Sequence, residues 1–218
     1  MLGTEQSSYY EGRLPHIEFD GACYFITYVL KGALPRRQRE AVRRAYEEEL
    51  EAIRNRKLPP QEERSAIQQM GDQYFEKYER ILSGDTGPHH LKDPFCAQTV
   101  LDSLHFIHHQ QRWRLIAATV MSNHVHIIVD QVQGLLWEVL RDHKRYTSKL
   151  INHHLGLVGQ QLWMYESWDR YTRNAKDFWI RIWYTLLNPV KANLVTNWWE
   201  YPFTYVAEQF DPRLPASI

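Results

Sequence analysis

The order of apolar and polar positions divides the chain into three textures. YFITYVL (24–30) is an unbroken run rich in β-branched and aromatic residues and predicts a buried strand. PRRQREAVRRAYEEELEAIRNRK (35–57) and QEERSAIQQMGDQYFEKYERILS (61–83) are charged and rich in helix formers, with Leu58-Pro59-Pro60 between them. They predict a helical pair inserted at about 35–83, after the first strand. GDTGPHH (84–90) predicts a loop, and Asp93-Pro94 an N-cap and first turn for a helix over 93–109. WRLIAATVM (113–121) and HVHIIVD (124–130) predict two strands, with Ser122-Asn123 as a turn or bulge. LLWEVLRDHKRYTSKLINHHLG (135–156) is an amphipathic helix that stops at Gly156. QLWMYESWDRYTR (161–173) is aromatic and extended. AKDFWIRIWYTLLNPVKANLV (175–195) predicts a helix ending near Asn188-Pro189. The tail TNWWEYPFTY predicts a segment packed over the core. The order of elements predicts an α+β fold, an antiparallel sheet covered by helices, as one domain over 1–218.

Composition narrows this little. Lys+Arg and Asp+Glu both number 26, so net charge gives no sign of a nucleic-acid partner. Local charge does. Arg141, Arg145 and Lys149 are spaced by four and, with Lys144, predict a basic stripe on one helix face. Arg170, Arg173, Lys176, Arg181 and Lys191 follow with few acids between them. A basic C-terminal half suits phosphate binding. Trp163, Tyr165 and Trp168 interleave with that charge, either to stack on unpaired bases or to fill the core. Cys23 and Cys96 match no zinc or redox spacing and suggest a reducing compartment. Residues 1–15 lack the apolar core of a signal peptide, and no apolar run is long enough to span a bilayer. A cytoplasmic protein without a membrane partner, monomeric or homodimeric, is expected.

Within the apolar stretch MSNHVHIIV (121–129), His124 and His126 are two apart and so share one face of a strand. Burying two imidazoles without partners is costly, and a shared metal or a polar cleft removes that cost. A His-x-His spacing alone is more often a pair of satisfied histidines. A metal site needs a third ligand and an open position. The last long helix offers Tyr184 and Asn188, four apart and on one face. Two imidazoles and an amide oxygen could hold manganese, magnesium, zinc or nickel. Beside such a cation Tyr184 could attack a phosphodiester. On pattern alone it is equally one more aromatic beside Phe178, Trp179 and Trp183. Tyr146, in the basic helix, is a rival nucleophile without an Asn or Gln one turn later. The adjacent pairs His89-His90, His108-His109 and His153-His154 read as surface or capping residues.

MSNHVHIIV resembles the His-hydrophobic-His strand of the one-tyrosine HUH transposases, and most closely that of the REP-associated tyrosine transposases. ACYFITYVLKGALP, LKDPFCAQTVLDSLHF, LWMYESWDRYTR and WYTLLNPVKANLV are similar to four further family segments in the family's order. Together they cover most of residues 20–205. The resemblance implies a ferredoxin-like HUH palm with the His strand central. It implies metal ligands at His124, His126 and Asn188, a nucleophile at Tyr184, and magnesium or manganese as the ion. The implied activity is cleavage and rejoining of single-stranded DNA beside hairpin repeats through a 5′-phosphotyrosine link. Ser122 stands where the family has proline, Leu186-Leu187 where many relatives are polar, and Asn193 where it has glycine; asparagine also tolerates a left-handed helix cap. Two other classes remain: a domesticated hairpin-binding protein that does not cut, and a small-molecule metallohydrolase that uses the His pair without Tyr184.

Overall fold

The structure, a computed structural model, describes residues 6–11, 15–19, 21–84 and 87–214. Residues 1–5 and 12–14, within the segment read above for an apolar leader, lie outside the described residues, as do 85–86 of the 84–90 loop. The chain divides into two compact units, Met1–Lys31 with His89–Ile218, and Gly32–Pro88.

The smaller unit is the inserted helical pair, α1 (Arg36–Asn55) and α2 (Pro60–Leu82). Pro60 sits at the start of α2, where its missing N–H costs nothing, and Glu62 and Glu63 complement the helix dipole. The Tyr46 and Tyr74 rings meet edge-on at 5.5 Å and join the two helices. At the unit's end Gly87 has φ +95°, and a Cβ there would collide with the Gly32 carbonyl oxygen. That close approach requires glycine.

The larger unit holds a two-stranded hairpin, β1 (Gln6–Glu11) and β2 (Pro15–Phe19), which the apolar pattern did not reveal. It also holds a five-stranded antiparallel sheet of β3 (Tyr24–Val29), β4 (Arg114–Val120), β5 (His124–Asp130), β6 (Trp168–Tyr171) and β7 (Thr204–Val206), in the order β6-β3-β5-β4-β7. The expected α+β architecture is present, and the His strand β5 is central. The tail differs from expectation. Trp198 packs into the core, but the residues after it continue as edge strand β7 against Ala117–Thr119. Pairing with β4 satisfies backbone groups that a merely packed segment would leave to water.

The sheet has two differently used faces. Tyr24, Ile26 and Tyr28 lie in register with Val129, Ile127 and Val125 on one face. There α3 (Pro94–His109) and α4 (Leu136–His154) cover them. A buried polar chain ties both helices to the strand: His143 of α4 bridges Ser103 Oγ of α3 at 2.9 Å and Tyr28 Oη at 2.7 Å. The other face carries Phe25, Thr27 and Val29 beside Ile128, His126 and His124, and α5 (Ala175–Lys191) packs over it. Among the described residues no helix is long and apolar enough to cross a membrane.

His143 gives the fold an acid-labile point. Burial, with Lys144 adjacent, pushes its pKa down to about 3. The unfolded chain takes up this proton near pH 6.5 and the native chain does not, so stability falls as pH drops below that value. The slope from this group approaches about 1.4 kcal/mol per pH unit. Urea unfolding between pH 7.5 and 4.5 should show this loss. His143→Gln should be less stable at neutral pH and less pH-dependent across the window; equal slopes would exclude His143 as the source.

Candidate functional site

Each histidine of the pair is oriented through its Nδ1. His124 Nδ1 lies 2.6 Å from Asn123 Oδ1, an atom that only accepts, so the ring donates from Nδ1. His126 Nε2 accepts from Asn188 Nδ2 at 3.0 Å, which leaves its Nδ1–H to donate to Thr27 Oγ1 at 2.8 Å. Both rings thus carry the proton on Nδ1 and a lone pair on Nε2, the tautomer that a metal ligand needs. The ring centroids are 4.7 Å apart, and both residues are buried. Thr27 and Asn123 were not singled out in the sequence. The available signals were one aliphatic hydroxyl in an apolar and aromatic strand and an amide just before His124.

Helix α5 supplies the other side of the site. The Asn174 side chain caps it by accepting from Asp177 N at 2.9 Å. Asp177 in turn pairs with Arg173 and Arg181, both at 3.3 Å. The expected stop near Asn188-Pro189 does not occur, and the helix runs on to Lys191. Proline has no N–H for the carbonyl four residues back, that of Thr185. Thr119 Oγ1 on β4 donates to that carbonyl at 2.9 Å instead. Thr119 pairs in register with His126, so the replacement bond anchors α5 at the level of the site. Beyond Lys191, Asn193 adopts φ 55°, with Asn193 N bonded to Val190 O and Leu194 N to Pro189 O, as its expected left-handed cap requires.

Thr119→Val should therefore destabilise the larger unit by about 1–3 kcal/mol, the cost of a buried carbonyl losing its donor. In a Pro189→Ala background the helix regains its own N–H and the penalty should shrink. Urea unfolding of the four-variant cycle measures this coupling; additive effects would mean that Thr119 does not compensate for the proline.

This anchoring brings Tyr184 and Asn188 onto the face of the His pair. The Tyr184 ring stands edge-on to His126 at 5.4 Å and to Phe25 at 5.7 Å, and Lys191 Nζ lies 4.5 Å from its centroid. The site residues read from sequence, His124, His126, Tyr184 and Asn188, thus converge. Tyr146 is exposed on α4, across the sheet.

The basic residues are dispersed. Arg141, Arg145 and Lys149 are exposed on α4, and Arg141 pairs with Asp142 at 3.2 Å. Lys144 differs from the expected stripe. Its ammonium donates to the carbonyls of Met164, Tyr165 and Glu166 at 3.3–3.4 Å, and burial lowers its pKa to about 8. Trp163 is a core residue, 3% exposed, with its indole N–H on Thr147 Oγ1 at 2.9 Å. Arg170 lies opposite Phe25, on the His face. Arg173 and Lys191 are exposed near the two ends of α5.

The donor set fits a divalent cation: two imidazole lone pairs held side by side, and an amide that presents Oδ1 when it turns about its last bond. Such a neutral set leaves the ion its charge and room for phosphate oxygens.

Residues 76–173 match the model of a family described as "Transposase IS200 like", in agreement with the resemblance carried by the motifs. The matched span contains the His strand and stops before α5. No curated protein matches the chain significantly. A solved structure described as "Structure of the REP associates tyrosine transposase bound to a REP hairpin" is 17% identical, with a TM-score of 0.49, over 91% of this chain and 81% of that one.

Proposed function

With residues 76–173 matching the IS200-like transposases, we propose that this protein cuts and rejoins single-stranded DNA beside hairpins, with Tyr184 as nucleophile. The observation that carries this reading is the meeting of α5 with β5: Tyr184 and Asn188 both lie against His126. His124, His126 and Asn188 would hold the ion, magnesium or manganese. When bound, it would polarise a phosphodiester and offset its charge.

The chain's own residues account for the rest. Thr27 and Asn123 fix the imidazole tautomers, and Thr119 fixes the height of α5. The Tyr184 oxygen attacks phosphorus and releases its proton to solvent. The P–O3′ bond breaks, and the leaving oxygen is protonated to a free 3′-OH. One phosphodiester replaces another, so the bond energy is retained for a later 3′-OH to attack phosphotyrosine and displace the tyrosine. Lys191 sits where it offsets negative charge on the phenolate or the phosphate. Arg170 and Arg173 would contact the strand on this side; Arg141, Arg145 and Lys149 would hold DNA that passes across α4.

The test is a covalent-adduct assay. End-labelled single-stranded hairpin DNA from beside the gene is mixed with the protein and manganese or magnesium, then run on a denaturing gel. A labelled protein band and a new 3′-OH fragment, both lost with chelator, are expected. A native-gel shift with neither product would instead establish a hairpin-binding protein that does not cut.

A further inference from the structure

One face of α5 carries more exposed aromatic surface than a helix packed on a sheet needs. Trp179, Trp183 and Ile180 are 39%, 41% and 51% exposed. With Leu187 and Tyr184 they line an open groove of about 430 Å³, and Lys176 and Lys191 close its lining at either end. No acid contributes to that lining. Asp177, the acid nearest in sequence, is buried between Arg173 and Arg181. Trp179 and Trp183 are one helical turn apart, roughly 6 Å along the axis. The proposed nucleophile shares the groove.

Apolar surface of this kind must be covered by something when the protein works. Its chemistry selects among occupants. Flat indoles stack on bases of any sequence, and lysines flanking them neutralise a polyanion. A second copy of the chain would meet these lysines with the same positive charge. We propose that the Trp179–Trp183 face of α5 is a stacking platform for the unpaired nucleotides next to the scissile phosphate. This rests on the single-strand-cutting reading and deepens it: the enzyme would grip unpaired bases through stacking and backbone charge, without reading their sequence.

The experiment is binding by fluorescence anisotropy in chelator, where no cutting occurs. The probes are an oligothymidylate of about 12 nucleotides and an abasic oligomer of the same length, which keeps the charge but has no bases. Trp179→Ala and Trp183→Ala should each weaken oligothymidylate binding about fivefold or more, and abasic binding little. Lys176→Gln should weaken both oligomers alike and flatten the salt dependence of each. Because both tryptophans are on the surface, the variants should fold; their unfolding curves check this.

Unchanged oligothymidylate affinity in the double tryptophan variant would overturn the platform. So would equal weakening of both oligomers by the tryptophan variants. A wild-type dimer that becomes monomeric in the double variant, with DNA affinity intact, would assign the face to a second copy. The cutting reading fails separately, on the covalent-adduct assay.

Discussion

Replacing Tyr184 with phenylalanine is expected to reduce the covalent protein–DNA adduct by at least about a thousandfold, because the only atom removed is the one proposed to attack. The ring contacts explain why this substitution is clean. Tyr184 packs edge-on against Phe25 and His126, and phenylalanine keeps both contacts. Thermal stability and hairpin binding should therefore stay near wild type while the labelled band disappears. A band that persists would move the nucleophile elsewhere. The sequence offers Tyr146 next, but that residue lies on α4, on the sheet face away from the histidines. Tyr146→Phe should accordingly leave the adduct intact, and its loss there would refute the arrangement.

The second large effect belongs to His126. Its ring makes the site's central contacts, to Thr27 at 2.8 Å and to Asn188 at 3.0 Å, and it is 0% exposed. On the proposed reading, manganese should raise the wild-type melting temperature, and His126→Ala should abolish both that shift and the cutting. The substitution also opens a cavity and leaves buried polar neighbours behind, at a cost of about 2–4 kcal/mol, so lost activity alone would be ambiguous. Thr27→Val resolves this. It leaves both imidazoles in place and removes only the hydroxyl that holds the Nδ1 tautomer. Manganese affinity, read by calorimetry, should fall about 10- to 100-fold while the fold persists. Unchanged affinity in Thr27→Val would show that its hydroxyl does not tune the site, and a manganese shift surviving in His126→Ala would show that His126 does not bind the metal.

Much of this site was legible in the sequence because it rests on local periodicity. Strand alternation alone places His124 and His126 on one face, and helical spacing alone places Asn188 one turn from Tyr184. These follow from backbone geometry and hold whatever the rest of the chain does. The left-handed cap at Asn193 is of the same kind. Lys144 and Trp163 show the opposite limit. Both sit in a strongly basic and aromatic stretch; Lys144 reads as a DNA contact and Trp163 as either a stacking or a core residue, yet Lys144 turns its ammonium onto three carbonyls and Trp163 enters the core. Residue type and spacing do not report burial, which depends on segments distant in sequence.

The passage of α5 beyond Pro189 belongs with burial. From sequence the proline predicts a stop, because its missing N–H abandons a carbonyl. The stop is averted by the Thr119 hydroxyl, which supplies the donor from 66 residues before the abandoned carbonyl of Thr185. What the sequence determined by itself was which side chains point together within each element: the His pair, the Tyr184–Asn188 pair, and the aromatic stripe of α5. What only the tertiary structure decided was which elements meet, with α5 and not α4 over the His face. A sheet has two faces that local geometry treats alike, and long-range packing alone chooses between them.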